Sequence, residues 1–357
     1  MSRQMATWMH PAASIRENEE TIARLAEMGI NLVAGIFKSP SGLTRYPSRL
    51  ADPWKGFDEG WEPWSPGSGS PRLADPCKGF DDETIYGAFI ESCHRHGMKF
   101  EAWTCVFTEE LPTSRFLREH GEYRAVDRSG TANAMGGEGW ACPARPEVQE
   151  HELALCREVL QRYPNVDRLH LDYIRYPWSG GSACSCAYCQ NEFRSRFGLD
   201  LLKDTWLPGA VEGRGFDAFV QWRCGHIERF VRSAREVANQ AGVGLTAAVF
   251  PYYPSICFDL GQDWAAWCSK GLVDALYIMN YNWSPMMVGK YTSVAQHFLR
   301  GLAAPAVQIV QVSSGMRADE LRALAAAALD NGAPGLGFFS SKGLSNLPVD
   351  TLKPFLE

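Results

Sequence analysis

Arg168-Leu169-His170-Leu171-Asp172-Tyr173-Ile174-Arg175-Tyr176-Pro177 alternates apolar and polar residues and stops at a proline. That pattern reads as a β-strand running into a loop. Alternation puts His170 and Asp172 on one face and Leu169, Leu171 and Tyr173 on the other. A carboxylate late in an apolar strand is costly to bury unless it is paired or put to use. Pairing with Arg175 or with backbone donors is the plain explanation of Asp172, and a working carboxylate the sharper one.

Outward from this strand the pattern repeats. Further strands are expected at 6–10, 30–37, 99–107, 243–251, 274–282, 306–313 and 335–341. Helical sequence lies between them, at 17–28, 84–96, 146–163, 217–241, from Asp263 as N-cap, 285–301, 317–330 and 348–356. Gly29 and Gly97 stand where the first two helices should stop. Eight strands, each followed by helical sequence and many apolar throughout, define one α/β domain over 1–357, a closed (β/α)8 TIM barrel. A doubly wound sheet is the fallback, but no G-x-G-x-x-G follows a strand.

The chain has 357 residues, 45% of them hydrophobic and 12% aromatic, ample material for such a core. A net charge of −6 gives no basic stripe for nucleic acid. No apolar run approaches the roughly 20 residues of a membrane span, and no apolar leader opens the chain. A cytoplasmic protein is expected, with self-association left open.

The barrel has a long loop after its second strand, about 38–82. It carries a duplication: Arg49-Leu50-Ala51-Asp52-Pro53-Trp54-Lys55-Gly56-Phe57-Asp58 recurs as Arg72-Leu73-Ala74-Asp75-Pro76-Cys77-Lys78-Gly79-Phe80-Asp81. Two copies make an insertion in a tolerant loop, not a solenoid. Trp54, Trp61 and Trp64 could line a cleft there.

In a TIM barrel chemistry belongs at the C-terminal strand ends. Trp8, His10, Trp103, Arg175, Tyr176, Asn280, Tyr281, Trp283 and Gln311 fall at those ends, rich in the aromatic faces and amides a sugar ring needs. Any one of these aromatics could equally be ordinary barrel packing. Among eleven cysteines, Cys184-Ser185-Cys186-Ala187-Tyr188-Cys189 follows Asp172 closely. Three thiolates so spaced suit a tetrahedral zinc that takes its fourth ligand from elsewhere. Cys142 would sit in the neighbouring loop, after the third strand. Four sulfurs leave no open position, so such a Zn2+ would be structural. Reduced free thiols, or a disulfide in a secreted protein, are the alternatives. Cys93, Cys105 and Cys156, inside expected elements, read as buried reduced thiols.

The whole chain resembles the glycosyl-hydrolase-like barrel families of the family 10-like and hypothetical glycosyl hydrolase 6 types. The resemblance lies in Leu169 to Pro177, His96-Gly97-Met98-Lys99-Phe100-Glu101-Ala102-Trp103, Gln262-Asp263-Trp264 and Val273-Asp274-Ala275-Leu276-Tyr277-Ile278-Met279-Asn280-Tyr281. The cysteine pattern, followed by Asn191-Glu192-Phe193-Arg194-Ser195-Arg196-Phe197, is similar to the zinc cluster of glycoside hydrolase family 42 β-galactosidases. There a lone cysteine about forty residues upstream completes the site, which implies Cys142 here. That family carries its acid/base glutamate two residues beyond the position matching Asp172, where this chain has Ile174.

Glycoside hydrolysis generally uses two carboxyl groups. Asp172 is the expected nucleophile or stabiliser of the oxocarbenium-like centre, kept ionised by Arg175. Glu109 and Glu110, just past the third strand, are the candidate acids. Asp263 is better read as a helix cap and Glu101 as pointing to the barrel floor, while His10 or a tyrosine could supply the proton instead. The expected partner is a carbohydrate. A barrel that binds glycans without cleaving them is the second reading. A metal-dependent amidohydrolase is disfavoured, because only His10 and His170 offer strand-end histidine ligands.

Overall fold

A computed structural model describes residues 3–53, 83–110, 113–131, 139–177, 184–205 and 214–356. Trp54, Trp61, Trp64 and the second copy of the repeat lie outside the described residues. Eight parallel strands close into a barrel, each paired with its sequence neighbours and the last with the first. They are β1 Gln4–Met9, β2 Leu32–Lys38, β3 Lys99–Cys105, β4 Arg168–Asp172, β5 Gly244–Val249, β6 Ala275–Met279, β7 Ala306–Gln311 and β8 Gly335–Phe339.

Outside run α1 Ile15–Glu27, α2 Glu83–Arg95, α3 Arg115–Glu119, α4 Pro146–Arg162, α5 Ala187–Phe197 and α6 Arg214–Ala241. They continue with α7 Ser255–Leu260, α8 Trp264–Ser269, α9 Pro285–Phe298, α10 Ala318–Asp330 and α11 Ser341–Leu344. A 3-10 turn at Val349–Phe355 stands where the last helix was expected. Every expected strand is present, with ends that differ from the expected ones by no more than three residues; β1 begins two residues earlier and β2 ends one later. Helices α3, α5, α7 and α11 lie in stretches that carry no clear apolar period.

Local chemistry explains the ends. The Ser14 side chain accepts from Glu17 N at the start of α1, one of the orphan N–H groups of a first turn. Gly29 then takes φ +92, which a side chain would resist, and a Cβ there would strike Leu356. Asp263 caps α8, as expected, by accepting from Ala266 N.

Two apolar layers result. One lies between sheet and helices, where Phe37 packs on Tyr46, Tyr86, Phe100 and Tyr163 at ring distances of 4.4–6.3 Å. The other fills the barrel with Trp8, Ala34, Ile36, Trp103, Tyr277, Val307 and Ile309. Gly337 leaves room for Trp8, since a Cβ on it would come within 2.9 Å of the indole.

Polar groups inside the barrel are satisfied as a chain. Trp8 Nε1 donates to His170 Nε2 at 3.2 Å, so Nδ1 carries the proton and faces Thr246 Oγ1 at 2.9 Å. Thr246 Oγ1 donates to Glu101 Oε2 at 2.8 Å. Tyr277 Oη and Arg168 donate to Glu101 Oε1 at 2.8 and 3.0 Å, and Gln4 donates to Tyr277 Oη at 2.7 Å. Glu101 therefore lies sealed in the barrel with three donors. Burial nevertheless raises its pKa, against the pull of Arg168 and the hydroxyls.

Burial lowers the His170 pKa to about 3, even though Glu101 Oε2 lies 3.5 Å from its Nδ1. The unfolded chain binds a proton at this residue below about pH 6.5 and the native state does not, so stability falls as pH drops from there toward 3. His170→Asn should flatten the acid side of the stability curve between pH 6.5 and 4 by about 1.4 kcal/mol per pH unit. Urea unfolding of both proteins across that range measures it, and parallel curves would refute the assignment.

Candidate active site

Asp172 ends β4 and is 8% exposed, against 0% for Glu101 and His170 deeper in the barrel. Trp103 Nε1 donates to Oδ2 at 3.0 Å and Tyr173 N to Oδ1 at 2.7 Å. The second bond needs Tyr173 to leave the strand in the left-handed region, at φ +53. Burial raises the Asp172 pKa, while the Tyr173 N–H, the Arg175 charge and the Trp103 N–H oppose the shift. Both oxygens thus accept, yet the carboxylate is poorly solvated. An approaching positive charge would gain more from such a group than from one in water.

Aromatic rings surround it. His10 meets Trp103 edge-on at 5.2 Å, Phe339 meets Trp103 at 6.1 Å, and Tyr281 tilts against Phe339 at 5.7 Å. The negative charge of Asp172 helps raise the Tyr281 pKa, after burial. The Arg175 guanidinium lies over three rings, Tyr173 at 4.7 Å, Trp140 at 4.9 Å and Phe250 at 5.1 Å. Of the residues singled out in the sequence, His10, Trp103, Asp172, Arg175 and Tyr281 are thus brought together. Trp140 and Tyr173 were not foreseen. Trp140 stands two residues before Cys142, the one signal that could have marked it.

Other expected contacts lie elsewhere. Trp8 is one layer down, its N–H spent on His170. Tyr176 is fully buried outside the barrel, 6.1 Å from Trp222. Asn280 is buried under α9, donating to Val288 O at 3.0 Å and Gln308 Oε1 at 3.2 Å. Gln311 closes β7 half-buried, and Trp283 is 63% exposed beyond β6.

Glu109 is held in a second network. Lys38 Nζ lies 2.8 Å from Glu109 Oε1 and 2.9 Å from Glu152 Oε1, and donates also to Cys105 O and Thr108 O. A register shift near the end of β2 turns this lysine out of the barrel sequence of side chains. Burial pulls Lys38 down, but Glu109 and Glu152 outweigh it and hold the ammonium above its ordinary pKa. Burial works to raise Glu109, yet Lys38 and His151 bring it below the ordinary value. Glu152 moves up to about 7, by burial and by repulsion from Glu109. Glu110, next in the chain, is half-buried, and Ser114 N and Thr113 Oγ1 donate to its backbone oxygen.

The cysteines gather as a separate cluster. Cys142, Cys184, Cys186 and Cys189 are all buried, with their sulfurs within 4.8 Å of one another. Sγ of Cys142 is 3.4 Å from that of Cys189 and 3.8 Å from that of Cys186, and Cys186 is 3.6 Å from Cys189. Sulfurs at about 2.3 Å from a tetrahedral zinc would stand about 3.8 Å apart. The four therefore form a cage that could hold a metal ion. Without a cation they make poor neighbours: burial pushes the Cys142 and Cys189 thiols up, while Cys142 and the other two sulfurs pull Cys186 down. Cys93, Cys105 and Cys156 are buried apart from this cluster.

The structure is thus a TIM barrel with a hydrogen-bonded carboxylate among rings at its C-terminal rim. Residues 4–321 match the model of the glycosyl hydrolase-like 10 family, and the chain belongs to that family. No curated protein matches it. Solved structures share the fold. The PgaB (BpsB) glycoside hydrolase domain from Bordetella bronchiseptica superposes with a TM-score of 0.70 at 11% identity, over 99% of each chain. The β-amylase catalytic domain from Paenibacillus polymyxa gives 0.64 at 12%, over 98% of this chain and 94% of that one. A β-galactosidase from Bacillus circulans sp. alkalophilus gives 0.66 at 15%, over 95% of this chain and half of the larger protein.

Replacing Lys38 would leave two carboxylates buried side by side without their cation. Lys38→Met should cost about 3–5 kcal/mol of stability, read as a lower urea midpoint. Little change would show that water, not the lysine, compensates Glu109 and Glu152.

Proposed function

We propose that the protein hydrolyses O-glycosidic bonds in an oligo- or polysaccharide, with Asp172 as the carboxylate that faces the anomeric carbon. The observation that carries this reading is the setting of Asp172, a rim carboxylate with both oxygens hydrogen-bonded and aromatic rings about it. Membership of a glycosyl hydrolase-like family supports it. As positive charge develops at the anomeric centre, the under-solvated carboxylate stabilises it, as nucleophile or as ion partner. His10, Trp103, Arg175 and Tyr281 bound the space for the sugar ring, with Trp283 and Gln311 farther along the rim.

The leaving oxygen needs a proton. Glu109 is committed to Lys38, so Glu110 on the same loop is the better candidate acid. The cage of Cys142, Cys184, Cys186 and Cys189 is read as a structural Zn2+ site. When bound, the ion would supply charge to hold four thiolates together, with no position left for substrate.

A glycan-binding barrel without hydrolysis is the competing reading, favoured by Ile174 in the expected acid position and by the hold of Lys38 on Glu109. Chromogenic glycosides and polysaccharide fragments separate the two. Asp172→Asn should lower turnover by roughly 10³-fold or more while glycan binding persists. Unchanged turnover would remove Asp172 from the chemistry, and binding without turnover in the unaltered protein would favour the second reading. Glu110→Gln should slow substrates with poor leaving groups far more than activated aryl glycosides.

Metal analysis should find one zinc per chain, absent from Cys142→Ser. A chain that purifies metal-free and takes up no added Zn2+ would end the zinc assignment.

A further inference from the structure

Two loops meet at the cysteines. One follows β3 and brings Trp140-Ala141-Cys142, and the other follows β4 and brings Cys184 to Cys189. The same two loops, two and eleven residues before those sulfurs, carry the rings that clamp Arg175. The guanidinium spans Trp140 from the first loop, Tyr173 from the second and Phe250 after β5. Trp140 also lies 5.8 Å from the Tyr173 ring. Tyr173 is the residue whose left-handed backbone turns its N–H onto Asp172 Oδ1.

The contacts form a continuous path from sulfur to carboxylate. Cys142 follows Trp140 by two residues, and the intervening Ala141 N–H donates to Phe107 O at 2.9 Å. Trp140 and Arg175 pack on Tyr173, and Arg175 N donates to Tyr173 O at 2.8 Å, closing the turn. Gln262 ties the next loop in, donating to Ile174 O at 3.2 Å and accepting from Phe250 N at 3.1 Å. The φ +53 of Tyr173 is a conformation a non-glycine residue keeps only where its surroundings impose it. Ring packing on both sides of Arg175 does so here.

We propose that the four-cysteine centre, loaded with its metal, is the clamp that sets the orientation of Asp172, with Trp140 and Arg175 as the positioning residues between them. The inference rests on the metal reading of the cage and does not need the identity of the substrate. Four buried sulfurs drawn to one cation fix the separation of the two loops. Without the cation they have no reason to stay 3.4–3.8 Å apart, and the Trp140 side of the clamp moves with Cys142.

The test uses the full chain, loaded with Zn2+ and then stripped with a chelator, and needs no turnover. Two signals are read: amide hydrogen exchange, and the Trp103 indole N–H proton resonance, which its bond to Asp172 shifts downfield. After stripping, amides in 139–142 and 172–177 should exchange at least roughly tenfold faster while β1, β2, β7 and β8 stay protected. The Trp103 resonance should move upfield as Asp172 turns. Trp140→Phe with its zinc content retained should show the same Trp103 shift, which a merely structural metal would not produce. Unchanged exchange at 172–177 and an unmoved Trp103 signal in the stripped protein would overturn the proposal. So would loss of protection spread over the whole barrel, or a chain that takes up no Zn2+, while absent hydrolysis in a protein that passes would count against the enzymatic reading alone.

Discussion

A carboxylate enclosed by parallel strands survives only where donors meet it, and this barrel meets its carboxylates in three ways. Glu101 is sealed with a tyrosine, a threonine and an arginine. Glu109 and Glu152 share one lysine. Among the described residues Asp172 receives only neutral N–H groups at contact distance, from Trp103 and Tyr173. The first two arrangements spend the charge inside the protein. The third leaves it compensated for geometry but under-compensated for charge, which is the state a developing cation would relieve.

That difference follows from height in the barrel. Arg168, His170 and Asp172 share one face of β4, two residues apart, so each sits one layer above the last. Pairing aligns Trp103 with His170 and Cys105 with Asp172. The lower layers can be filled by Trp8, Tyr277 and one another, since neighbouring strands supply partners there. At the top the strands end, and partners must come from loops. The loops after β3 and β4 are the ones the cysteines join, so the least regular part of the site has the most chemical cross-linking.

Much of this was legible in the sequence. The eight strands announce themselves through apolar runs bounded by glycine and helical sequence, and the face of β4 that carries His170 and Asp172 follows from alternation alone. The cysteine cage was legible because spacing survives folding: C-x-C-x-x-C and a lone upstream cysteine need only adjacent loops. Strand-end contacts were less so. Trp8 and Asn280 fall at strand ends in the sequence, but register puts the first a layer down and a turn after Ile278 puts the second under α9. Lys38 escaped notice because a register shift, invisible to alternation, redirects it toward Glu109. Tyr173 was assigned to the outer face as a strand residue, and only its left-handed backbone brings it to Asp172.

The neighbours in fold range from a β-amylase domain to a β-galactosidase at 11–15% identity, so the barrel constrains the place of chemistry more than its kind. What distinguishes this chain is which rim positions keep an ionisable group facing outward. Ile174 removes one such group two residues past Asp172, and Lys38 withdraws another at Glu109. On the glycosidase reading proposed above, the proton for a departing sugar would then come from the loops, with Glu110 next in chain order after Glu109. A site that fixes its carboxylate on a strand and leaves its acid to a loop can exchange linkage preference through loop sequence while the barrel beneath stays the same.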